Sequence, residues 1–167
     1  MSQDKDYRVR AIPCSHQASG EEIYERLKSI TAPLDRSWAR IEKARKVGIK
    51  FNMQMRTEAV RRIGGRRQEL VDEDVVRASL RLLQERTDAE LFVIDTSMVP
   101  AGQRPGHDFN MAPIFEEFGI PYVEAGDPPF ERYKVPGGGT MFSEYQLSAA
   151  LGEADAFVSI AQMKNHG

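Results

Sequence analysis

One apolar run near the middle of the chain, Leu91–Ile94, constrains the fold more than any other stretch. Four consecutive apolar side chains bounded by polar residues are typical of a strand that is covered on both faces, as in a parallel sheet. The run lies in the segment ELFVIDTS, so the polar residues Asp95, Thr96 and Ser97 follow it directly. We therefore predict an α/β domain built around this strand.

The chain from Val47 onward repeats a strand–helix pattern around that run. Predicted strands are 47–53, 90–97, 120–124 and 156–161, and predicted helices follow Asp72, Asn110 and Ser143. This alternation is typical of a parallel sheet joined by right-handed crossovers. We predict an α/β fold with a mostly parallel sheet of about four to five strands and helices on both faces.

The first 46 residues are predicted to lead into this core. Tyr7–Ile12 alternates apolar and basic residues like a half-exposed strand, and Ser19 with Glu22 has the spacing of a capping box that starts a helix. A second short helix carries Trp38, which we interpret as a core anchor. The predicted organisation is a single domain, 1–167, with a lead-in over 1–46 and a parallel α/β core over 47–167.

Composition narrows the class of protein. Hydrophobic residues make up 41% and charged residues 29% of the chain, as in globular domains. No apolar run approaches the ~20 residues that span a bilayer, and the N-terminus lacks the apolar core of a signal peptide. We therefore expect a cytoplasmic protein without membrane association. Cys14 is the only cysteine, so this chain alone builds no cysteine-ligated iron–sulfur cluster.

Polar side chains stand at the ends of all four predicted strands of the core. Ligands of open parallel sheets bind in the crevice outside the carboxyl ends of the strands, so these side chains are predicted to share one crevice. They are Lys50 and Asn52, Asp95 and Ser97, Asp127, and finally Lys164 and His166.

The residue types suggest which chemistry that crevice supports. Lys50 and Lys164 favour an anionic ligand such as a carboxylate or phosphate. His166 suits a general base or a metal ligand, and Asp95 and Asp127 suit the orientation of these groups or a hard cation. The hypothesis assigns catalysis to three residues and ligand binding to four, and leaves the metal and the reaction open. The catalytic residues are Lys50, Lys164 and His166; the ligand-binding residues are Asn52, Asp95, Ser97 and Asp127.

Two alternatives use other parts of the chain. The segment RRIGGRR, Arg61–Arg67, is either a solvated loop or, with Arg56, a nucleic-acid-binding surface over 56–67. An isoelectric point near 6.0 and the lack of interleaved aromatic residues count against nucleic acid. The other alternative is an inactive fragment that offers an interaction surface to a missing C-terminal half or an oligomer partner.

Two motifs follow one another in the core, Ile49-Lys50-Phe51-Asn52 and, later, Ala154-Asp155 followed by an apolar strand and Lys164-Asn165-His166. They resemble motifs of the family called domain of unknown function 362. The resemblance covers roughly Val47 to the end, and it implies that the domain continues past the Lys-x-His motif. We therefore expect this chain to be the N-terminal portion of a domain truncated at its C-terminus. Some members carry ferredoxin-like cysteine clusters, which this chain lacks, and the family supports the location of the site more than its chemistry.

Overall fold

Eight strands and five helices make up the computed structural model over the residues that it describes, which are 9–53, 60–96 and 111–163. The strands are β1 (Lys46–Phe51), β2 (Arg62–Ile63), β3 (Arg66–Arg67), β4 (Glu90–Asp95), β5 (Tyr122–Glu124), β6 (Phe130–Lys134), β7 (Glu144–Ser148) and β8 (Ala156–Ile160). The helices are α1 (Gly20–Thr31), α2 (Asp35–Ile41), α3 (Glu73–Arg86), α4 (Ala112–Glu117) and α5 (Ala150–Glu153).

The central sheet has four strands in the order β5-β4-β1-β8, and every neighbouring pair is parallel. β1 is an inner strand whose residues Val47–Phe51 pair with Ala156–Ile160 of β8. On its other side β1 pairs with β4, beginning at Lys46 opposite Glu90. The predicted α/β fold with a parallel sheet is confirmed, and the predicted central run Leu91–Ile94 is buried within β4.

One face of the sheet carries the main hydrophobic core. Alternate residues of β1, namely Val47, Ile49 and Phe51, are completely buried there, as the period of two along a strand requires. Helices α1 to α4 all contribute side chains to this core. The predicted helical stripe of α3 is buried as well, and it consists of Val76, Leu80 and Leu83.

A small β-hairpin and one helical turn lie beside the opposite face, where they line a cavity together with Phe92 and Val123 of the sheet. β6 and β7 form an antiparallel pair over five residues each, and α5 follows β7 directly. Glu153 of α5 forms an ion pair of 2.7 Å with Lys46, which starts β1. The predicted placement of helices on both faces therefore holds for the described residues, with α1 to α4 packed on the main core and α5 beside the opposite face.

Helix ends follow the signals in the sequence. The Ser19 hydroxyl accepts a hydrogen bond from the Glu22 amide and the Glu22 carboxylate accepts one from the Ser19 amide, which completes the predicted capping box. Asp72 caps α3 in the same manner by accepting from the Asp74 amide. Gly119 follows α4 with φ of +64°, a conformation that glycine adopts without steric cost. Among the described helices, none has both the length and the apolarity that a bilayer span requires.

The helix predicted after Ser143 is wrong over most of its length. Residues Glu144–Ser148 form β7, and only Ala150–Glu153 are helical. The spacing of Ser143 and Gln146 satisfies the capping-box pattern, yet the segment gains five cross-strand pairs with β6 instead. An ion pair of 3.0 Å between Arg132 and Glu144 joins the two strands. Pairing with a distant segment thus overrides a local helix signal.

Two further expectations differ from the structure. The predicted strand Tyr7–Ile12 is wrong where the structure describes it, because residues 9–12 form no strand and Val9 is 92% exposed. Its first two residues lie outside the described part of the chain. The arginine-rich segment, expected as a loop, forms the β2–β3 hairpin around Gly64 and Gly65. Both glycines have positive φ, +56° and +82°, as a two-residue hairpin turn requires.

Gly48 of β1 offers a test of the packing on the face of the sheet opposite the main core. A Cβ atom at Gly48 would lie 2.9 Å from Cδ2 of Phe157 and 3.1 Å from Cζ of Phe92. We expect Gly48→Ala to lower the free energy of unfolding by roughly 1 to 3 kcal/mol, the usual cost of overpacking. Urea unfolding followed by circular dichroism measures this loss. Gly20→Ala is the control, because its Cβ meets atoms only at 3.6 Å or more; equal midpoints for the two variants would contradict the prediction.

Candidate functional site

A lysine and an aspartate from adjacent strands meet at the carboxyl-terminal edge of the sheet. Lys50 is the penultimate residue of β1, and Asp95 is the last residue of β4. The Lys50 Nζ lies 3.6 Å from Oδ2 of Asp95 and donates a 3.4 Å hydrogen bond to the Phe51 carbonyl oxygen. The Lys50 side chain is 36% exposed, whereas that of Asp95 is only 8% exposed. A buried carboxylate therefore faces an ammonium group that solvent reaches.

Burial dominates the electrostatics of Asp95. Desolvation raises the pKa of its carboxyl group, because the charged form loses contact with water. The hydrogen bond that the Thr96 amide donates to Oδ1, 2.9 Å long, and the charge of Lys50 both act to lower this pKa. They do not outweigh desolvation, and the pKa of Asp95 stays above its ordinary value. Lys50 thus compensates the buried charge only in part.

Two buried oxygen atoms at this edge accept no hydrogen bond within the part of the chain that the structure describes. They are Oδ2 of Asp95 and Oδ1 of Asn52, the residue that follows β1. The backbone of Asn52 is held firmly, since its amide donates to the Ile160 carbonyl at 3.1 Å and its carbonyl accepts from the Val71 amide at 2.9 Å. Buried acceptors are nearly always satisfied in proteins, and exceptions concentrate where a ligand, ion or water belongs.

Three of the predicted site residues are therefore at one edge of the sheet: Lys50, Asn52 and Asp95. Asp127 follows β5, where its amide donates a 3.1 Å hydrogen bond to the Glu124 carbonyl, and it lines a cavity to which none of those three contributes. Ser97, Lys164 and His166 lie outside the described residues. Within the described ranges, no three His, Cys, Asp or Glu side chains cluster closely enough to hold a metal ion by themselves.

The sequence interpretation missed Tyr122, which supports this edge. Its hydroxyl donates to the Asp95 carbonyl oxygen at 3.2 Å and lies 3.1 Å from Oε2 of Glu124. The Ala125 amide also donates to that carbonyl oxygen, at 2.8 Å, so β5 holds the end of β4 from two directions. The spacing of Tyr122 and Glu124, two residues apart at a strand end, was the sequence signal that could have indicated this role of Tyr122.

The arginines of the β2–β3 hairpin are engaged with the first turn of α3. Arg62 and Arg67 both pair with Glu73, the latter at 2.7 Å. Arg66 pairs with two further acidic residues, Asp72 at 2.7 Å and Asp74 at 2.6 Å. Acidic side chains at a helix N-terminus also interact favourably with the helix dipole. The positive charges of the hairpin therefore compensate the acidic side chains at the start of α3.

Glu73 is the centre of this network, and its carboxylate is well compensated. Burial alone would raise the pKa of Glu73, but the hydrogen bonds from Arg62 and Arg67 outweigh it and lower the pKa to about 2. Asp95 and Glu73 are thus both shielded from solvent, but their pKa values are shifted in opposite directions. Of these two carboxylates, that of Glu73 is fully compensated and that of Asp95 only in part.

The comparison with family models identifies the class of this chain. The model described as Domain of unknown function (DUF362) matches residues 47–167, which include β4, β5, β8 and all of β1 except Lys46. The chain therefore belongs to this family, as its two motifs predicted. Neither the curated proteins nor the solved structures contain a match to the chain.

The lowered pKa of Glu73 predicts a loss of stability in acid. A carboxyl group with a pKa of about 2 in the folded state stabilises the fold above its unfolded pKa, and this contribution disappears as the pH falls towards 2. Glu73→Gln should therefore cost roughly 2–3 kcal/mol of unfolding free energy at pH 7 and much less at pH 3. Urea unfolding at both pH values measures the difference. Glu116→Gln, at an exposed position of α4, is the control, and a cost for Glu73→Gln that does not depend on pH would contradict this prediction.

The raised pKa of Asp95 predicts the opposite dependence of stability on pH. A carboxyl group whose pKa is raised by folding stabilises the fold below its unfolded pKa, and this contribution is lost as the pH rises through the folded pKa. The stability of the wild type relative to Asp95→Asn should therefore fall from pH 3 to pH 7. Urea unfolding of both proteins at pH 3 and pH 7 measures this difference in stability. A wild type that gains stability over Asp95→Asn across this range would show that the carboxylate is fully compensated.

Proposed function

We propose that the carboxyl-terminal edge of β1 and β4 binds a small anionic molecule together with a hard divalent cation, and that it forms the binding or active site of this domain. The observation that carries the proposal is the pair of buried oxygen acceptors, Asn52 Oδ1 and Asp95 Oδ2, beside the partly exposed ammonium of Lys50. A stable protein rarely keeps such atoms unsatisfied without a functional reason.

Lys50 supplies the anion-binding half of the site. Its ammonium group is accessible to solvent at the strand edge, where carboxylates or phosphates bind in open parallel sheets. Among the described residues it contacts the Phe51 carbonyl and Asp95, whereas an ammonium group can donate three hydrogen bonds. Lys164 and His166 come four and six residues after Ile160, the last residue of β8, and we keep them as the predicted further members of the site.

Asn52 and Asp95 supply the cation-binding half of the site. Oxygen acceptors without donors suit a hydrated Mg²⁺ ion, which binds through one or two carboxylates and retains several waters while it contacts an anionic ligand. A ligand hydroxyl would satisfy the same oxygens as a donor. A bound cation would also offset the desolvation that raises the pKa of Asp95. The chemistry favours a phosphate or a small hydroxycarboxylate bound together with the metal.

The two alternatives remain predictions without a specific observation in their favour. Nucleic-acid binding over 56–67 would use guanidinium groups that already pair with Asp72, Glu73 and Asp74. An interaction surface would use half-exposed side chains such as Phe157 on the edge strand β8. Family membership supports the site hypothesis only by location, because the family's own description assigns no activity.

Isothermal titration calorimetry tests this function with inorganic phosphate and glycolate, each with and without Mg²⁺. We expect the affinity for the anion to fall about tenfold or more in Lys50→Met, because a charge-assisted hydrogen bond is worth roughly 1.5–3 kcal/mol. Lys43→Met, which removes the same charge from an exposed position, is the matched control. Equal affinities of wild type and Lys50→Met, or no binding by wild type, would refute the proposal.

The role of the acceptors is tested separately in the same titrations. Asn52→Leu should abolish the gain in affinity that Mg²⁺ brings, while binding of the anion alone persists through Lys50. Lys164→Ala and His166→Ala determine whether these two side chains belong to the site. If Mg²⁺ strengthens anion binding equally in wild type and in Asn52→Leu, the assignment of a cation to the acceptors is wrong.

A further inference from the structure

A stack of three aromatic rings connects the end of β1 with β5. The centroid of the Phe115 ring, in α4, lies 6.2 Å from that of Phe51 and 6.4 Å from that of Tyr122. The interplanar angles are 21° and 6°, and rings arranged in this way attract each other beyond the effect of burial alone. Because β4 lies between β1 and β5 in the sheet, the stack links two strands that are not paired with each other.

The stack begins within the proposed site. Phe51 is the last residue of β1, and it lies between Lys50 and Asn52 in the sequence. Its side chain is completely buried and Phe115 is only 3% exposed, so neither ring moves without a rearrangement of the close-packed core. The position of the end of β1 is therefore linked, through the Phe115 ring, to that of Tyr122.

Tyr122 also links the stack to the end of β4. Its hydroxyl lies within hydrogen-bond distance of the Asp95 carbonyl oxygen, at 3.2 Å, and of Glu124 Oε2, at 3.1 Å. Asp95 and Glu124 lie opposite each other in the register of β4 and β5. The Gly126 amide donates to the other carboxylate oxygen of Glu124 at 3.1 Å. The hydroxyl is therefore at the junction of the two strand ends and contacts both.

The backbone contact between β5 and β4 is short. Within the described residues it consists of three residue pairs, the last of which is Asp95 with Glu124. β5 is also an edge strand of the central sheet, with β4 as its neighbour on one side. Segments that few hydrogen bonds hold open more readily than the middle of a sheet. A side-chain contact at the last pair therefore contributes much to the position of this strand end.

The Asp95 carboxylate depends on this junction for its own position. Its Oδ1 accepts a 2.9 Å hydrogen bond from the Thr96 amide, and its Oδ2 lies 3.6 Å from the Lys50 Nζ. Both partners belong to the ends of β4 and β1, so a displacement of one end relative to the other changes these distances. Binding groups need to be held within roughly 0.5 Å of their productive geometry. A small shift of the β4 end therefore weakens a ligand that Asp95 and Asn52 share.

We infer that Tyr122 is a positioning residue of the proposed site. Its ring, through Phe115, and its hydroxyl fix the end of β4 relative to the end of β1. Asp95 Oδ2 and Asn52 Oδ1 are thereby held in place to bind the same cation. The inference rests on the proposed function and adds the residue that sets the geometry of the cation-binding half. Tyr122 acts through Asp95, whose main-chain carbonyl oxygen it contacts.

Isothermal titration calorimetry of Tyr122→Phe with inorganic phosphate, with and without Mg²⁺, tests the role of the hydroxyl. This variant keeps the aromatic ring and loses only the hydroxyl group. We expect the gain in affinity that Mg²⁺ brings to fall about fivefold, the effect of one hydrogen bond between uncharged groups. The affinity for phosphate alone should stay as in wild type, because it depends on Lys50.

Tyr24→Phe is the matched control, since it removes a hydroxyl from a tyrosine away from the strand edge. The Tyr24 hydroxyl of α1 donates to Glu85 of α3, and the residue is only 2% exposed. Urea unfolding should show a loss of stability in this variant, and calorimetry should show an unchanged gain from Mg²⁺. Equal losses of the gain in Tyr24→Phe and Tyr122→Phe would mean that the gain follows stability, which contradicts a positioning role.

A pH titration of the Asp95 carboxyl carbon by ¹³C NMR tests the same role in the protein without Mg²⁺ or phosphate. Burial raises the pKa of Asp95, and the charges of Lys50 and Glu124, which also affect it, are retained in both variants. Loss of the Tyr122 hydroxyl should admit water to the end of β4, so the pKa of Asp95 should fall towards its ordinary value. Tyr24→Phe should leave this pKa unchanged. The same Asp95 pKa in wild type and Tyr122→Phe would show that Tyr122 does not act through Asp95.

Phe115→Leu tests the ring stack as a second variant. It keeps the Tyr122 hydroxyl and removes the ring that links Phe51 to Tyr122, so the gain from Mg²⁺ should fall again. Circular dichroism verifies that each variant is folded. An unchanged gain in folded Tyr122→Phe and Phe115→Leu would overturn this inference and leave the proposed function in place. If Mg²⁺ brings no gain in wild type, the cation part of the proposed function is wrong, and the inference fails with it.

Discussion

The parallel pairing of β1 with both of its neighbours is the constraint on which the other features of this domain depend. β4 and β8 are far apart in sequence and meet only through β1, and the backbone ladders on its two sides hold all three in register. Val47, Ile49 and Phe51 turn one face of this strand into the centre of the core, where α1 to α4 pack. The same ladders carry the polar residues Lys50 and Asn52 to the edge at which β4 ends. The candidate site is therefore a consequence of strand register.

The parts of the fold that were predictable are those with strong local patterns. The apolar run of β4, the stripe of α3 and the caps at Ser19 and Asp72 are each encoded within a few residues of sequence, and all are present. The β6–β7 hairpin was not predictable, because its residues are mostly exposed and so lack a clear hydrophobic period. Its strand structure depends on pairing between segments rather than on local preference.

The candidate site was predictable to a similar degree. The rule that polar residues at strand ends gather at one edge correctly brought Lys50 and Asp95 together, 3.6 Å apart. It could not separate Asp127 from them, because the rule says which end of the sheet a residue occupies but not which cavity its side chain lines. Nor could the sequence reveal that Glu73 is fully compensated and Asp95 only in part, since this depends on which cations lie close to each carboxylate.

The alternation of side chains along β1 has one more consequence. Lys46 and Lys50 are four residues apart on one strand, so both project from the same face and their backbones are separated by roughly 13 Å of extended chain. An inner strand bonded on both sides neither bends nor slides without breaking two ladders, and β1 therefore acts as a rigid spacer between the cavity that Lys46 lines and an edge that presents an ammonium group. The Lys46 and Lys50 backbones therefore keep a constant distance and orientation, without a hinge between them.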